Sequence, residues 1–246
     1  MSLASMTNGK IYFSLDITDK FGKSRDWFCI GCKGKMIFHR DLAKVKIAHF
    51  VHKVPCSFET EPETQEHLML KNWCYYNLNA EKKYKPDSFF IGDQKPDVFI
   101  EDKVKKIAVE VQCSKISYGE WWNRTKKYSE KGIYVLWIFG NNYCPKLKKL
   151  CNQNNKYAEK RISIIEKEMH RLNYGKVYYF QFTNQVSIEA IHFEGVYRES
   201  EHSMYEGVWL KNTKSLKFKS LPSLNIRTFT NEGLNIAGFY DGVWWK

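Results

Sequence analysis

No stretch of this sequence is apolar for long enough to cross a bilayer. The most apolar run, residues 132–139, is far shorter than the roughly 20 residues a spanning helix needs, and it reads as a buried strand. The opening residues carry neither the basic nor the apolar region of a secretory leader, so none is expected. Cysteine is sparse and odd in number, seven scattered from Cys29 to Cys151. That argues against a disulfide-framed secreted fold and for reduced thiols in a cytoplasmic setting, some of them holding metal. Acidic charge is in deficit as well, 27 Asp and Glu against 39 Lys and Arg, for a formal net charge of +12. Such an excess favours a polyanionic partner, because neutralised phosphates release condensed counterions; a generally lysine-rich composition is the alternative.

What is present is an ordinary globular composition, 43% hydrophobic and 27% charged, long enough for one core with an appended module. Residues 10–28 alternate apolar and polar side chains through Ile11, Phe13, Leu15 and Ile17, which predicts strands. Residues 62–78 predict a helix with Pro62 in its first turn. Val98 to Ile100 and Lys106 to Gln112 predict paired strands joined by a charged turn. Tyr118 to Lys131 predicts a second helix ended by Gly132, and Ile133 to Phe139 a central strand buried on both faces. This order implies an α+β fold, a mixed sheet flanked by helices. Residues 145–172 look helical, with eight Lys or Arg against three Glu. Val177 to Phe182 and Val186 to Phe193 predict a hairpin. Residues 205–211 recur 35 positions later as residues 240–246, which suggests two similar strands that pair or pack together. Three segments result: 1–58 with the N-terminal strands and a knuckle, 59–142 as a core, and 143–246 as a basic α/β extension.

Within the core, Lys95-Pro96-Asp97-Val98 is followed by Glu110-Val111-Gln112, with twelve residues between Asp97 and Glu110. Asp97 opens one predicted strand and Glu110 lies near the end of the next, so a tight turn brings the carboxylates side by side at one sheet end. Hard oxygen ligands so placed hold Mg²⁺ or Mn²⁺ with open positions, as phosphodiester hydrolysis requires. Gln112 shares the face of Glu110, while Val109 and Val111 turn into the core. On the preceding helix His67 and Lys71 share a face, with Glu66 adjoining. These groups are either a solvated edge or a third ligand (Glu66) with groups that orient water or phosphate. Ordinary surface carboxylates are the alternative for the pair.

Cys29-Ile30-Gly31-Cys32 and His49-Phe50-Val51-His52 form a Cys₂His₂ arrangement that suits tetrahedral Zn²⁺. The two-residue gap between the histidines is shorter than that of a DNA-reading finger, and four protein ligands would leave no open position, so the role predicted is structural. Cys56 is a substitute ligand for either histidine. Two buried thiols and two surface histidines are the alternative.

Taken in order, Cys29-x-x-Cys32, His49-Phe50-Val51-His52, Glu66-His67 with Lys71, Pro96-Asp97-Val98, Val109-Glu110-Val111-Gln112-Cys113-Ser114, Arg124 with Tyr128, and Gly132-Ile133 leading to Trp137-Ile138 resemble the CoiA-like competence protein family over roughly residues 25–140. The resemblance implies a restriction-endonuclease-like core of the PD-(D/E)xK superfamily, an N-terminal zinc-ribbon-like element, and a role in handling DNA. It implies metal binding at Asp97 and Glu110. Glu66, His67 and Lys71 would line the site, Arg124 would face it, and Gln112 would stand where the superfamily usually has lysine. Lys71 or Lys95 would then have to replace that missing charge.

The function expected is divalent-metal-dependent hydrolysis of DNA, with Arg124, Lys126 and Lys127 contacting phosphates and DNA-uptake or recombination proteins as partners. The alternatives are a catalytically silent DNA-binding scaffold and a zinc-stabilised protein-interaction module.

Overall fold

The computed structural model describes residues 2–40, 47–55, 63–78, 83–86, 88–140, 143, 158–182, 185–198, 208–221 and 223–240. Two compact units divide the chain, Met1–Val111 and Gln112–Lys246.

The first unit opens on strands β1 (Ala4–Thr7) and β2 (Lys10–Phe13), then the short helix α1 (Asp19–Lys23), β3 (Trp27–Phe28), β4 (Lys35–His39) and β5 (His49–His52). These strands form an antiparallel sheet in the order β2-β1-β3-β4-β5. A bridge between Ser2 and Phe50 also ties the N-terminus to β5. Alternation sends Trp27, Met36, Phe38 and Phe50 to one face, where they form a buried cluster. The expected strand over residues 10–28 is interrupted. A 3-10 turn takes Ser14–Asp16, and Thr18 caps α1 by accepting from the Phe21 amide, so Leu15 and Ile17 lie outside any strand.

Helix α2 runs Gln65–Asn77, with Thr64 as its N-cap accepting from the His67 amide. It therefore starts three residues later than the predicted Pro62, which itself lies outside the described residues. Strand β6 (Lys83–Tyr84) leads to β7 (Val98–Glu101) and β8 (Lys106–Gln112). The hairpin β7–β8 pairs Val98 with Val109 and Glu101 with Lys106. Asp102 Oδ1 fixes its turn by accepting from the amides of Val104 and Lys105, at 2.8 and 2.7 Å. All of β8 after Lys106 is buried.

The second unit holds α3 (Tyr118–Glu130), β9 (Tyr134–Phe139), β10 (Ala158–Arg161), α4 (Ile164–Leu172), β11 (Val177–Phe182), β12 (Val186–Arg198), β13 (Val208–Ser220), β14 (Ile226–Asn231) and β15 (Leu234–Phe239). Its sheet is mixed: β11 and β15 both run parallel to β9, whereas β11–β12–β13–β10 is antiparallel. The α+β class expected from the order of elements is what the chain adopts. Helix α3 buries Trp121, Thr125 and Tyr128, a stripe at helical spacing, and Thr125 Oγ1 accepts from Trp137 Nε1 at 3.1 Å. Gly132 follows the helix with φ +69°, and the Ile133 amide donates to Tyr128 O at 3.0 Å. The left-handed backbone there is why glycine ends this helix.

The single helix expected over residues 145–172 is corrected. Residues 158–161 are strand β10, and α4 begins only after Ser163, whose side chain and that of Glu166 close a capping box. Residues 145–157 lie outside the described residues, as do 205–207 and 241–246 of the internal repeat. The hairpin β11–β12 forms with Val177 opposite Ile191. No helix is long and apolar enough to cross a membrane, among the described residues.

Candidate metal-dependent nuclease centre

Extending the β7–β8 register by one position from the Val98–Val109 pair sets Asp97 opposite Glu110. Both are buried, Asp97 at 7% exposure and Glu110 at 1%. The Val111 amide donates to Asp97 Oδ2 at 2.8 Å, so the carboxylate is anchored by the strand it faces.

Helix α2 supplies the other side. His67 Nε2 lies 3.1 Å from Asp97 Oδ2, and Lys71 Nζ donates to Glu63 Oε1 at 2.7 Å while lying 3.5 Å from Asp97 Oδ1. Glu63 Oε1 is also 3.8 Å from His67 Nδ1. The Lys71 side chain is wholly buried. One turn of helix separates His67 from Lys71, which is why both reach the start of β7 from the same face. Glu63 precedes the cap, and its spacing of four and eight residues to His67 and Lys71 brings it to the same place.

The electrostatics follow from burial opposed by charge. Burial alone would raise the Asp97 carboxyl, but the charges of His67 and Lys71 and the hydrogen bonds from His67 and the Val111 amide hold it well below the usual carboxylate range. For His67, burial disfavours the imidazolium and Lys71 opposes it too, yet Asp97 and Glu63 push it above its ordinary value.

One ligand atom from each of Glu63, His67 and Asp97 lies within 4.8 Å of the others, and Glu63 Oε2 is buried with no hydrogen-bond partner among the described residues. An orphaned buried carboxylate oxygen is costly, and a cation is the partner that this donor set fits. The residues present are therefore compatible with a divalent ion. The structure brings together Asp97, His67 and Lys71 of the expected residues, adds Glu63, and leaves Glu66 outside that group. Gln112 is 8% exposed, and its Nε2 donates to Ser114 O at 2.8 Å, securing the chain that follows β8.

At the knuckle, Cys29, Cys32 and His52 offer ligand atoms within 4.8 Å of one another, with Cys32 Sγ 3.6 Å from His52 Nε2. His49 does not join them. It stands three residues from His52 on the same strand, so alternation turns the two to opposite faces. The His49 Nδ1 lies 2.7 Å from Ile47 O, and the ring stacks on His39 at 5.7 Å. The four-ligand set expected from spacing is thus three among the described residues, and Cys56 lies outside them.

In the second unit, Lys126 and Lys127 are exposed on α3. The Arg124 guanidinium instead lies over the Trp137 ring at 5.7 Å. The basic surface expected after residue 145 is partly neutralised: Lys160 pairs with the buried Glu166, and Arg171 with Glu168 and Glu232.

A family model described as "Competence protein CoiA, nuclease-like domain" matches residues 63–226. The chain belongs to this family. The match begins at Glu63 and so leaves the knuckle outside it. It also continues well past residue 140, where the resemblance read from motifs had ended. Competence protein CoiA of Bacillus subtilis (strain 168) is 33% identical over 122 residues, 48% of this chain and 32% of that protein. The chain thus matches about a third of the length of that CoiA protein. No solved structure matches.

Proposed function

We propose that the chain is a divalent-metal-dependent nuclease that hydrolyses DNA phosphodiester bonds at the open end of the β7–β8 hairpin. The observation that carries this reading is the convergence of buried Asp97 and Lys71 with half-buried His67 and Glu63 in a chain of the CoiA nuclease-like family. A bound Mg²⁺ or Mn²⁺ would neutralise the phosphate and acidify a water there. Asp97 and Glu110 are assigned its anchoring, and the Val111 amide keeps Asp97 aimed. His67 stands against Asp97 on its other side. Lys71 keeps the carboxylates ionised and supplies positive charge in place of the superfamily lysine that Gln112 does not provide. Glu66 is assigned a flanking role. Lys126 and Lys127, with Arg124, are assigned phosphate contacts outside the chemistry.

On this reading residues 1–58 are a zinc knuckle module, 59–142 the nuclease-like core and 143–246 a basic extension, working in the cytoplasm beside DNA-uptake or recombination proteins. The zinc role is structural. Atomic absorption is expected to find one zinc per chain in the wild type, and Cys32→Ser is expected to remove it and to lower the melting temperature; zinc content unchanged by the substitution would rule out this ligand set.

The test of function is a panel of linear, circular, single-stranded and forked DNA incubated with Mn²⁺ or Mg²⁺ and then with EDTA. Scission of at least one form, ended by EDTA, is expected. A second reading, a DNA-binding scaffold without activity, is favoured by the Gln112 amide being committed to Ser114 O. Retention of DNA with no cut in either ion would establish it.

A further inference from the structure

The residues that reach the site from the α2 side change the kind of ion it should take. Asp97 and Glu110, opposite each other by extension of the β7–β8 register, would by themselves offer only oxygen, and oxygen ligands with bound water are what Mg²⁺ accepts. The cluster that the side chains actually form contains an imidazole nitrogen. His67 Nε2 is 3.1 Å from Asp97 Oδ2, close to the roughly 3 Å that separates neighbouring ligands set about 2.1 Å from one ion. Glu63 contributes from the same side, with Oε2 buried and, among the described residues, without a hydrogen-bond partner. The three ligand atoms lie within 4.8 Å of one another, so small side-chain rotations close them around one centre.

Charge points the same way. Lys71 Nζ occupies Glu63 Oε1 and lies near Asp97 Oδ1, which leaves Glu63 Oε2 for another cation. One ammonium thus stands between the Glu63 and Asp97 carboxyls, and the acidic excess that remains favours a further cation. Nitrogen from imidazole is a favourable donor to first-row transition ions and a poor one to Mg²⁺, and affinities rise along that row from Mn²⁺.

We propose that Glu63, His67 and Asp97 form a mixed nitrogen–oxygen site selective for a first-row transition-metal ion of the Mn²⁺ class over Mg²⁺, with Glu63 a ligand that lies outside the Asp97–Glu110 pair. The proposal deepens the nuclease reading and rests on it only for the purpose that the ion serves; the ligand set can be tested without any substrate. Selectivity and ligation are separable from catalysis, so the two readings can fail independently.

The experiment uses the whole 246-residue chain as purified, with Mn²⁺ and Mg²⁺ binding measured by calorimetry and the bound Mn²⁺ examined by electron spin echo modulation. Mn²⁺ is expected to bind at least about tenfold more tightly than Mg²⁺, with modulation from one directly bound ¹⁴N. His67→Gln should abolish the nitrogen signal and weaken Mn²⁺ at least about tenfold while changing Mg²⁺ little. Glu63→Gln should weaken Mn²⁺ and keep the nitrogen signal, which serves as the control should the histidine variant fold poorly. Equal affinities for the two ions, or no ¹⁴N modulation in the wild type, would overturn the proposal. Cleavage that runs equally well in Mg²⁺ and in His67→Gln would overturn it too, yet leave the nuclease reading standing. A nitrogen-ligated Mn²⁺ in a protein that cuts no DNA would do the reverse.

Discussion

Alanine at Asp97 or at Glu110 is expected to remove metal-dependent DNA cleavage while leaving DNA retention nearly unchanged. Extending the β7–β8 register by one position sets Asp97 opposite Glu110, and both are buried, so each substitution takes a carboxylate out of a site closed to bulk water. A ligand to a metal that stabilises transition-state charge is worth several kcal/mol, which is a fall on the order of a thousandfold in kcat/KM. Binding is assigned in this proposal to exposed cations such as Lys126 and Lys127, and it should fall steeply with salt in both wild type and variants. Single-turnover cleavage beside filter binding at two salt concentrations separates the effects. Equal loss of binding and cleavage would place the two carboxylates in the fold rather than in the chemistry.

Lys71→Met is expected to produce the largest loss of stability of any single change at the site. The ammonium is wholly buried and serves Glu63 and Asp97 together. Methionine keeps much of the volume but leaves two buried carboxylates facing each other. Removing one partner of a buried ion pair costs about 3–5 kcal/mol, or roughly 6–20 °C in melting temperature for a chain of this length. The loss should be partly reversed by Mn²⁺, which restores the missing positive charge; ligand at about 100 times its Kd returns about 2.7 kcal/mol. Differential scanning fluorimetry with and without Mn²⁺ reads both effects. An unchanged melting temperature would mean that the ammonium does not hold these carboxylates together.

The hairpin that carries Asp97 and Glu110 was legible because its signals agree: two apolar runs, a charged turn around Asp102, and carboxylates at matching ends. Helix α3 was legible for a similar reason, since Gly132 marks its end and Trp121, Thr125 and Tyr128 recur at helical spacing. Glu63 was missed because it lies outside α2, before the Thr64 cap. Its four- and eight-residue spacing to His67 and Lys71 was the signal, and it was passed over because Glu66, the immediate neighbour of His67, was read as the third ligand. His49 was misassigned because ligand spacing was read without the strand that carries it. On β5, a three-residue separation turns the two histidines apart. The helix expected from residue 145 failed because a run of basic residues was weighed above the Ser163–Glu166 capping box. The closing hairpin β14–β15 had a local signal as well. Its two-residue Glu232–Gly233 turn has φ values of +50° and +77°, which an acidic residue followed by glycine can mark.

The central claim is that the Asp97–Glu110 centre cuts DNA with a divalent ion. Its most direct test is a time course on a supercoiled circle in Mn²⁺, with wild type and Glu110→Ala purified side by side. Conversion to nicked or linear DNA by the wild type, stopped by EDTA and lacking in Glu110→Ala, is the result predicted; equal conversion by the two proteins, or none by the wild type while it still binds the DNA, would contradict it.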